Sequence, residues 1–123
     1  MLNIAVLVSG GGTNLQALID AQGRGEIPNG RISLVLASKP GVFALERAAK
    51  ADIPTDVLVR REFPTQAAYD EALIGKLEAA RIDLIVLAGF LTIISETVVN
   101  RFENRIINVH PSLIPSFCGE GFY

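Results

Sequence analysis

Five short apolar runs, separated from one another by stretches of helical character, are the feature that most constrains the fold. They lie at residues 2–8, 32–37, 55–59, 83–88 and 106–109. The longer runs are rich in Val, Ile and Leu, which is typical of strands buried on both faces. Strands that alternate with helices predict an α/β fold with a Rossmann-like, mainly parallel sheet and helices on both faces. The length of 123 residues suits a single domain, 1–123.

Helices are predicted in each interval between the runs. Their start signals are a threonine after a glycine loop, a Pro-Gly turn, a proline in a first helical turn, and a Ser-Glu pair. The predicted helices are Thr13, as a capping residue, to about Gly23, then residues 43–49, 64–81 and 95–102.

Composition excludes several function classes. The chain carries 11 basic and 13 acidic residues, and no Lys/Arg cluster could follow a phosphodiester backbone, so we expect no nucleic-acid partner. The apolar run at residues 2–8 is too short for a signal peptide or a membrane span, and no membrane association is expected. Cys118 is the single cysteine, which fits a reducing, cytoplasmic location.

The glycine loop after the first run reads SGGGTN at residues 9–14. Glycines let a backbone approach a ligand closely, and the N–H groups at the start of a helix favour an anion such as phosphate. A dinucleotide fingerprint would need a third glycine where Leu15 stands, and an acid where Ser38 and Lys39 stand. A P-loop lysine is also absent. The loop is therefore either a tight turn with nothing bound or a site for a mononucleotide or sugar phosphate.

A second candidate site lies at the end of the fifth run, where residues 108–115 read NVHPSLIP. Asn108 and His110 are two residues apart on a strand, so they should point the same way at the carboxyl end of the sheet. Lone histidines are commonly structural, but an amide beside an imidazole suits oxyanion stabilisation and proton transfer. Ser112 lacks a nucleophile elbow, and no second histidine or carboxylate cluster supports a metal site.

Three segments resemble the phosphoribosylglycinamide formyltransferases, a family of enzymes that use 10-formyltetrahydrofolate. The segments are VSGGGTNLQA at residues 8–17, LAGFL at residues 87–91 and NVHPSLIP at residues 108–115. They occur in the family's order and spacing, and the likeness covers essentially the whole chain. The Asn-x-His motif is shared with other 10-formyltetrahydrofolate enzymes, whereas the glycine-loop opening is more particular to this family.

The resemblance implies a formyl transfer from 10-formyltetrahydrofolate to the amine of glycinamide ribonucleotide, in purine biosynthesis, without a metal. It implies roles for nine residues. Gly12, Thr13 and Asn14 would bind the substrate phosphate; Leu91, Thr92, Ile93 and Ile94 would line the pterin pocket, largely through backbone; Asn108 would polarise the formyl oxygen and contact folate; His110 would be the general acid/base. Thr92 stands where some relatives have arginine, which should matter little for a backbone contact.

The family's pattern continues beyond residue 123, into further strands that carry an aspartate partner for the histidine. The chain is accordingly expected to hold the N-terminal, phosphate-binding part of a formyltransferase and to be nearly inactive alone, because losing a triad carboxylate costs roughly four orders of magnitude in rate. Lost covering partners predict an exposed apolar patch and self-association through this edge. The residues concerned are Ile106, Ile107, Phe117 and Phe122.

Two alternative functions remain open. One is another 10-formyltetrahydrofolate enzyme, either the hydrolase (a deformylase) or the methionyl-tRNA formyltransferase. The hydrolase is disfavoured because the chain starts at its first core strand, and the transfer-RNA enzyme because the chain lacks a basic surface. The other alternative is a non-catalytic fragment that binds phosphate and partners another chain.

Overall fold

The computed structural model describes residues 1–109, which form five strands and four α-helices. A short 3-10 helix, Arg60–Glu62, precedes the third α-helix. In chain order the elements are β1 Leu2–Val8, α1 Thr13–Gly23, β2 Gly30–Ala37, α2 Phe43–Lys50, β3 Thr55–Val57, α3 Gln66–Ala79, β4 Leu84–Ala88, α4 Glu96–Arg101 and β5 Ile106–Val109.

All neighbouring strands pair in parallel, in the order β3-β2-β1-β4-β5. The predicted Rossmann-like parallel sheet is thereby confirmed. The strand order reverses between β1 and β4, since the chain adds β2 and β3 on one side of β1, and β4 and β5 on the other. Such a switch point leaves a crevice at the carboxyl ends of the strands, where open α/β sheets bind ligands.

The helices cover both faces of the sheet, as predicted. Tyr69, Leu73 and Leu77 of α3 pack with Leu7 on one face, in the cluster that also holds Val98, the buried residue of α4. On the other face, α1 contributes the buried Leu15, and α2 contributes two buried alanines. Since side chains alternate along a strand, β1, β2 and β4 each supply apolar residues to both clusters.

Strand β2 changes face at Ser33, a detail that the sequence pattern did not reveal. The β1–β2 register shifts by one residue between Ile4 and Ala5, so that Ile4 pairs with Ile32 and Ala5 with Leu34. Ile32 and Leu34 consequently lie in opposite clusters although they are two residues apart. An inserted residue of this kind lets both apolar side chains remain buried.

Several predicted element boundaries were wrong by a few residues. Strand β3 ends at Val57, although Leu58 and Val59 stay buried beyond it. Helix α3 begins at Gln66 because the Thr65 hydroxyl caps it, accepting from the Ala68 N–H at 3.1 Å; the preceding proline lies outside the first turn. An apolar run or a proline locates the end of an element only to within a few residues. The capping hydrogen bond determines the residue at which a helix begins.

Strand β5 forms one edge of the sheet within residues 1–109. The expectation that Ile106 is exposed there was wrong: it is only 1% exposed and packs in the same cluster as Val98 and Phe102. Helix α4 therefore supplies the cover that the sequence argument assigned to later strands. Ile107 is half-buried, and the two phenylalanines in that expectation lie outside the described residues.

Tyr69 predicts a pH dependence of stability. Its ring is fully buried and its hydroxyl has no hydrogen-bond partner among residues 1–109. Burial, helped by the charge of Asp70, raises the pKa of Tyr69 to about 12, above the value near 10 of an unfolded chain. Because the pKa of Tyr69 is higher in the folded chain than in the unfolded chain, ionisation favours unfolding at high pH. The stability that the protonated hydroxyl contributes is complete below about pH 10 and is lost as the pH rises towards 12.

We expect a Tyr69→Phe variant to be at least as stable as the wild type at pH 8, because it removes a hydroxyl that is buried without a partner. Its advantage should grow between pH 10 and pH 12. Denaturant unfolding of both proteins across that range measures this difference. A stability difference that stays constant with pH would contradict the ionisation argument.

Candidate functional site

The glycine loop, residues 9–12, joins β1 to α1 at the switch point of the sheet. Gly12 occupies the N-cap position of α1 with a φ of 81°, and no side chain caps this helix. Thr13 is the first helical residue, so the prediction that its side chain caps the helix was wrong. The N–H groups of Gly12, Thr13 and Asn14 donate to no atom within residues 1–109. These donors at a helix N-terminus are suited to an anion.

Helix α2 holds the carbonyl side of the glycine loop. The Gly10 carbonyl accepts from the Ala44 N–H at 3.2 Å, and the Gly11 carbonyl accepts from Arg47 Nε at 2.7 Å. In a trans peptide the N–H points opposite to the carbonyl, and no described peptide bond is cis. The N–H groups of Gly11 and Gly12 are therefore turned away from α2, towards the open side of the loop.

Arg47 is itself held in place by two further contacts. Its Nη1 donates to Gln16 Oε1 at 3.2 Å, and its guanidinium lies 4.7 Å from the centre of the Phe43 ring. The side chain thus connects α2, the glycine loop and α1. Its positive charge next to the loop adds to the attraction that the helix N-terminus offers to an anion.

Gly12 is the point of closest approach between the loop and α2. A Cβ built on Gly12 would lie 2.7 Å from Ala44 Cβ and 2.9 Å from Ala44 Cα. By contrast, a Cβ on Gly10 or Gly11 would meet nothing within 4 Å. The three glycines therefore have different roles: Gly12 is required by packing and by its positive φ, whereas the other two leave space open in front of the loop.

Ser9 connects the loops that follow three neighbouring strands. It directly follows β1, is 4% exposed, and its Oγ accepts from the Leu91 N–H at 2.8 Å. The same oxygen lies 2.7 Å from the Oγ of Ser38, which directly follows β2. Ser38 occupies the position where a dinucleotide-binding sheet carries its ribose-binding acid. In this chain the Ser38 hydroxyl at that position pairs with the Ser9 hydroxyl.

The segment of residues 89–94 follows β4 beside the glycine loop. It begins at Gly89, with a φ of 74°, and presents Leu91 and Ile93, which are 84% and 73% exposed. Ile94 packs against the core on the α3 side, and Thr92 is half-buried. The Leu91 N–H already donates to Ser9, so other groups of the segment would have to provide backbone contacts to a ligand.

Asp70 anchors the far end of this segment, a role that no sequence motif indicated. Asp70 on α3 is 4% exposed and accepts from Ser95 Oγ at 2.6 Å and from Gln66 Nε2 at 2.8 Å. Ser95 is the N-cap of α4, its Oγ accepting from the Val98 N–H at 3.4 Å. Residues 89–94 are consequently fixed at Leu91 by Ser9 and, just beyond, at Ser95 by Asp70.

Asn108 lies near the carboxyl end of β5 and pairs with Leu87 of β4. The structure thus brings the glycine loop, residues 89–94 and Asn108 to one edge of the sheet, as predicted from their positions at the carboxyl ends of parallel strands. His110 lies outside the described residues, so the predicted amide–imidazole pair stays a prediction. The sequence motifs indicated these segments but not Ser9, Arg47 or Asp70, which connect and support them.

Neither a cluster of metal ligands nor a membrane-spanning helix occurs within residues 1–109. No group of three or more His, Cys, Asp or Glu side chains there could hold a metal ion. No helix in that range is long and apolar enough to cross a membrane. A cavity of about 540 Å³ lies between the N-terminal half of α3 and the start of α4, with Gln66, Asp70 and Ser95 among its lining residues. Neither the glycine loop nor residues 89–94 line it, so we place the site elsewhere.

The fold defines an α/β protein of the Rossmann-like class, with a glycine loop suited to an anion at the switch point of its sheet. Comparison with known proteins then gives the family. The chain belongs to the formyl transferase family, whose family model matches residues 2–122. This confirms the resemblance that the sequence motifs indicated.

Curated relatives carry names consistent with that family. The phosphoribosylglycinamide formyltransferase of Haemophilus influenzae is 42% identical over 123 residues, which is 100% of this chain and 58% of the relative. The trifunctional purine biosynthetic protein adenosine-3 of Drosophila pseudoobscura pseudoobscura is 48% identical over 94% of this chain, but that match is only 9% of its own length. The chain therefore spans little more than half of the single-function relative.

Solved structures agree with this assignment. The glycinamide ribonucleotide transformylase 1 of Symbiobacterium toebii has a TM-score of 0.86 and 40% identity, covering 95% of this chain and 55% of that one. The glycinamide ribonucleotide transformylase 1 of Geobacillus kaustophilus has the same TM-score at 39% identity, covering 98% of this chain and 63% of that one. The fold predicted from the sequence is that of a formyltransferase.

Proposed function

We propose that this chain carries the phosphate-binding part, and part of the catalytic site, of an enzyme that formylates glycinamide ribonucleotide. The formyl donor is 10-formyltetrahydrofolate, and the products are the formylated ribonucleotide and tetrahydrofolate. The observation that carries the proposal is the glycine loop, whose free N–H groups at a helix N-terminus face away from α2 at the sheet's switch point.

The substrate phosphate would occupy the open side of this loop. Gly12, Thr13 and Asn14 offer N–H groups without protein acceptors in residues 1–109, and Arg47 contributes a nearby positive charge. Gly10 and Gly11 have no side chains to fill the space in front of them. A phosphate monoester fits such a cradle because its oxygens accept several hydrogen bonds at once.

The pterin of the folate would lie against residues 89–94. Leu91 and Ile93 are mostly exposed, and the flat face of the pterin ring placed against them would remove their apolar surface from water. Thr92 and Ile94, which are half-buried, complete the predicted pocket wall. The Ser9 and Ser95 contacts hold the backbone of this wall in place before any ligand binds.

The chemistry would take place between these two subsites. The substrate amine attacks the formyl carbon, and the Asn108 amide stabilises the negative charge that develops on the formyl oxygen. His110 acts as general acid/base, taking a proton from the attacking amine and supplying one to the folate nitrogen that leaves. The C–N bond to the ribonucleotide forms as the C–N bond to folate breaks, so atoms and protons balance without a metal.

The remaining expectations from the sequence enter as proposals of the same kind. We propose that residues 1–123 fold as one domain, act in the cytoplasm, and turn over slowly when prepared alone. Self-association through β5 is proposed because this strand has a neighbour on one side only within residues 1–109. A steady-state assay and sedimentation of a preparation verified at 123 residues test the last two points.

The decisive experiment is a titration of the 123-residue chain with glycinamide ribonucleotide, followed by amide NMR. We expect saturable shifts of the Gly11, Gly12, Thr13 and Asn14 amides, because their N–H groups would gain phosphate acceptors. The matched ligand is the dephosphorylated glycinamide ribonucleoside, which should leave these amides unmoved. Equal shifts with both ligands, or none with either, would contradict phosphate binding by the loop.

An Arg47→Ala variant extends this experiment. We expect about tenfold weaker binding of glycinamide ribonucleotide, equivalent to roughly 1.4 kcal/mol, because a charge and a support of the loop are lost together. Arg24→Ala is the control, since Arg24 is an exposed arginine paired with Glu26 outside the site. Equal affinities of both variants would show that Arg47 does not contribute.

A further inference from the structure

Ser9 has a position and a set of contacts that the proposed reaction does not by itself explain. Ser9 is a polar residue that is only 4% exposed, although it lies at the carboxyl edge of the sheet, where ligands bind. Its Oγ accepts from the Leu91 N–H at 2.8 Å and forms a 2.7 Å hydrogen bond with Ser38 Oγ, in which either hydroxyl can donate. A buried hydroxyl with two partners is a fixed point, because breaking either bond leaves a desolvated polar group.

The hydrogen bond from the Leu91 N–H matters because side-chain packing does not hold Leu91 in place. The Leu91 side chain is 84% exposed, so it contributes little to the core. Its backbone lies in an irregular segment after β4, outside the strand pairing. The hydrogen bond to Ser9, across 82 positions of sequence, is therefore the contact that fixes where Leu91 sits relative to the glycine loop.

We propose that Ser9 is a positioning residue that sets the distance between the phosphate loop and the folate-binding segment, residues 89–94. This inference rests on the proposed function for the identity of the two ligands. Two substrates held on separate loops react only when the loops keep the reacting atoms within a few ångströms and correctly oriented. Ser9 lies in the first loop and binds the backbone of the second, so it links the two directly.

A purely structural role predicts something different. If Ser9 only satisfied buried polar groups, its loss would lower global stability and accelerate exchange at all core amides alike. A positioning role predicts a local change instead: Leu91 loses protection, and ligand binding at the glycine loop is no longer sensed at Leu91. The two roles are therefore separable by measurements at single amides.

The test compares the wild-type chain with Ser9→Ala, Ser9→Thr and Ser38→Ala by amide hydrogen exchange. In Ser9→Ala we expect the Leu91 amide to exchange about tenfold faster, beyond any change in global stability. Ser9→Thr keeps the hydroxyl and should restore protection at Leu91. Ser38→Ala keeps the bond from Leu91 to Ser9 and should change exchange at Leu91 far less than Ser9→Ala does.

The second arm adds glycinamide ribonucleotide. In the wild type the Leu91 amide resonance should shift on binding, and in Ser9→Ala that shift should be lost while the glycine-loop amides still respond. Unchanged Leu91 exchange in Ser9→Ala, or an intact Leu91 shift in that variant, overturns the positioning role. Faster exchange in Ser9→Ala, with no response of the wild-type loop to the ribonucleotide, supports the link between the loops and overturns the proposed function alone.

Discussion

A Gly12→Ala variant is expected to lose about 3 kcal/mol of folding free energy and most of its affinity for a phosphate ligand. Alanine at a φ of 81° costs roughly 1–2 kcal/mol, because a Cβ crowds the backbone in the left-handed region. The new methyl group would also lie 2.7 Å from Ala44 Cβ and 2.9 Å from its Cα. Helix α2 would have to move, and overpacking of this kind costs about 1–3 kcal/mol.

The same displacement would disturb the anion site. Ala44 and Arg47 of α2 hold the Gly10 and Gly11 carbonyls, so pushing α2 away rotates the peptides whose N–H groups face the ligand. Affinity for glycinamide ribonucleotide should fall by about a hundredfold or more, which corresponds to roughly 2.7 kcal/mol. Calorimetric titration under conditions where the variant is folded measures this loss.

Gly11→Ala is the matched control for the stability effect. A Cβ on Gly11 would meet nothing within 4 Å, and its φ is not in the left-handed region. We therefore expect a change of less than about 1 kcal/mol, the scale of an ordinary glycine-to-alanine substitution. Similar unfolding free energies for the two variants would refute the packing argument for Gly12.

The fold could be predicted from the sequence because each of its signals is local. The apolar runs are buried on both faces at residues 4–8 and 85–88, and their composition is visible without knowing the partners of each strand. Alternation with helices then leaves few arrangements other than a parallel sheet. The local signals were weakest where the chain departs from regular pairing, at the register shift beside Ser33 and at the early end of β3.

The connections within the candidate site could not be predicted, because they join residues far apart in the chain. Ser9 meets Leu91, Arg47 meets Gly11, and Asp70 meets Ser95, with separations of 82, 36 and 25 residues. A serine after a strand or an arginine on a helix carries no sign of its partner. Motif reasoning therefore located the loops at the sheet edge, whereas the structure revealed how they are held together.

Among these three connections, the one made by Asp70 should lower the stability of the fold most when it is removed. An Asp70→Ala variant is expected to be about 2–4 kcal/mol less stable than the wild type. The carboxylate is 4% exposed and accepts hydrogen bonds from Ser95 Oγ and Gln66 Nε2. Hydrogen bonds to a charged group contribute about 1.5–3 kcal/mol each, and their loss leaves both donors without their acceptor. Denaturant unfolding measures the difference.

Glu71→Ala provides the control, because Glu71 is the next residue on α3 and is exposed. It should change the unfolding free energy by less than about 0.5 kcal/mol. Asp70→Asn keeps the shape and one acceptor oxygen, and should fall between the two. Ser95 caps α4 and directly follows residues 89–94. Loss of its Asp70 partner should therefore speed amide exchange at Val98 more than at Leu73, in the middle of α3. Equal stability of Asp70→Ala and Glu71→Ala would mean that the carboxylate does not anchor this segment, and that its rigidity depends on Ser9 and apolar packing alone.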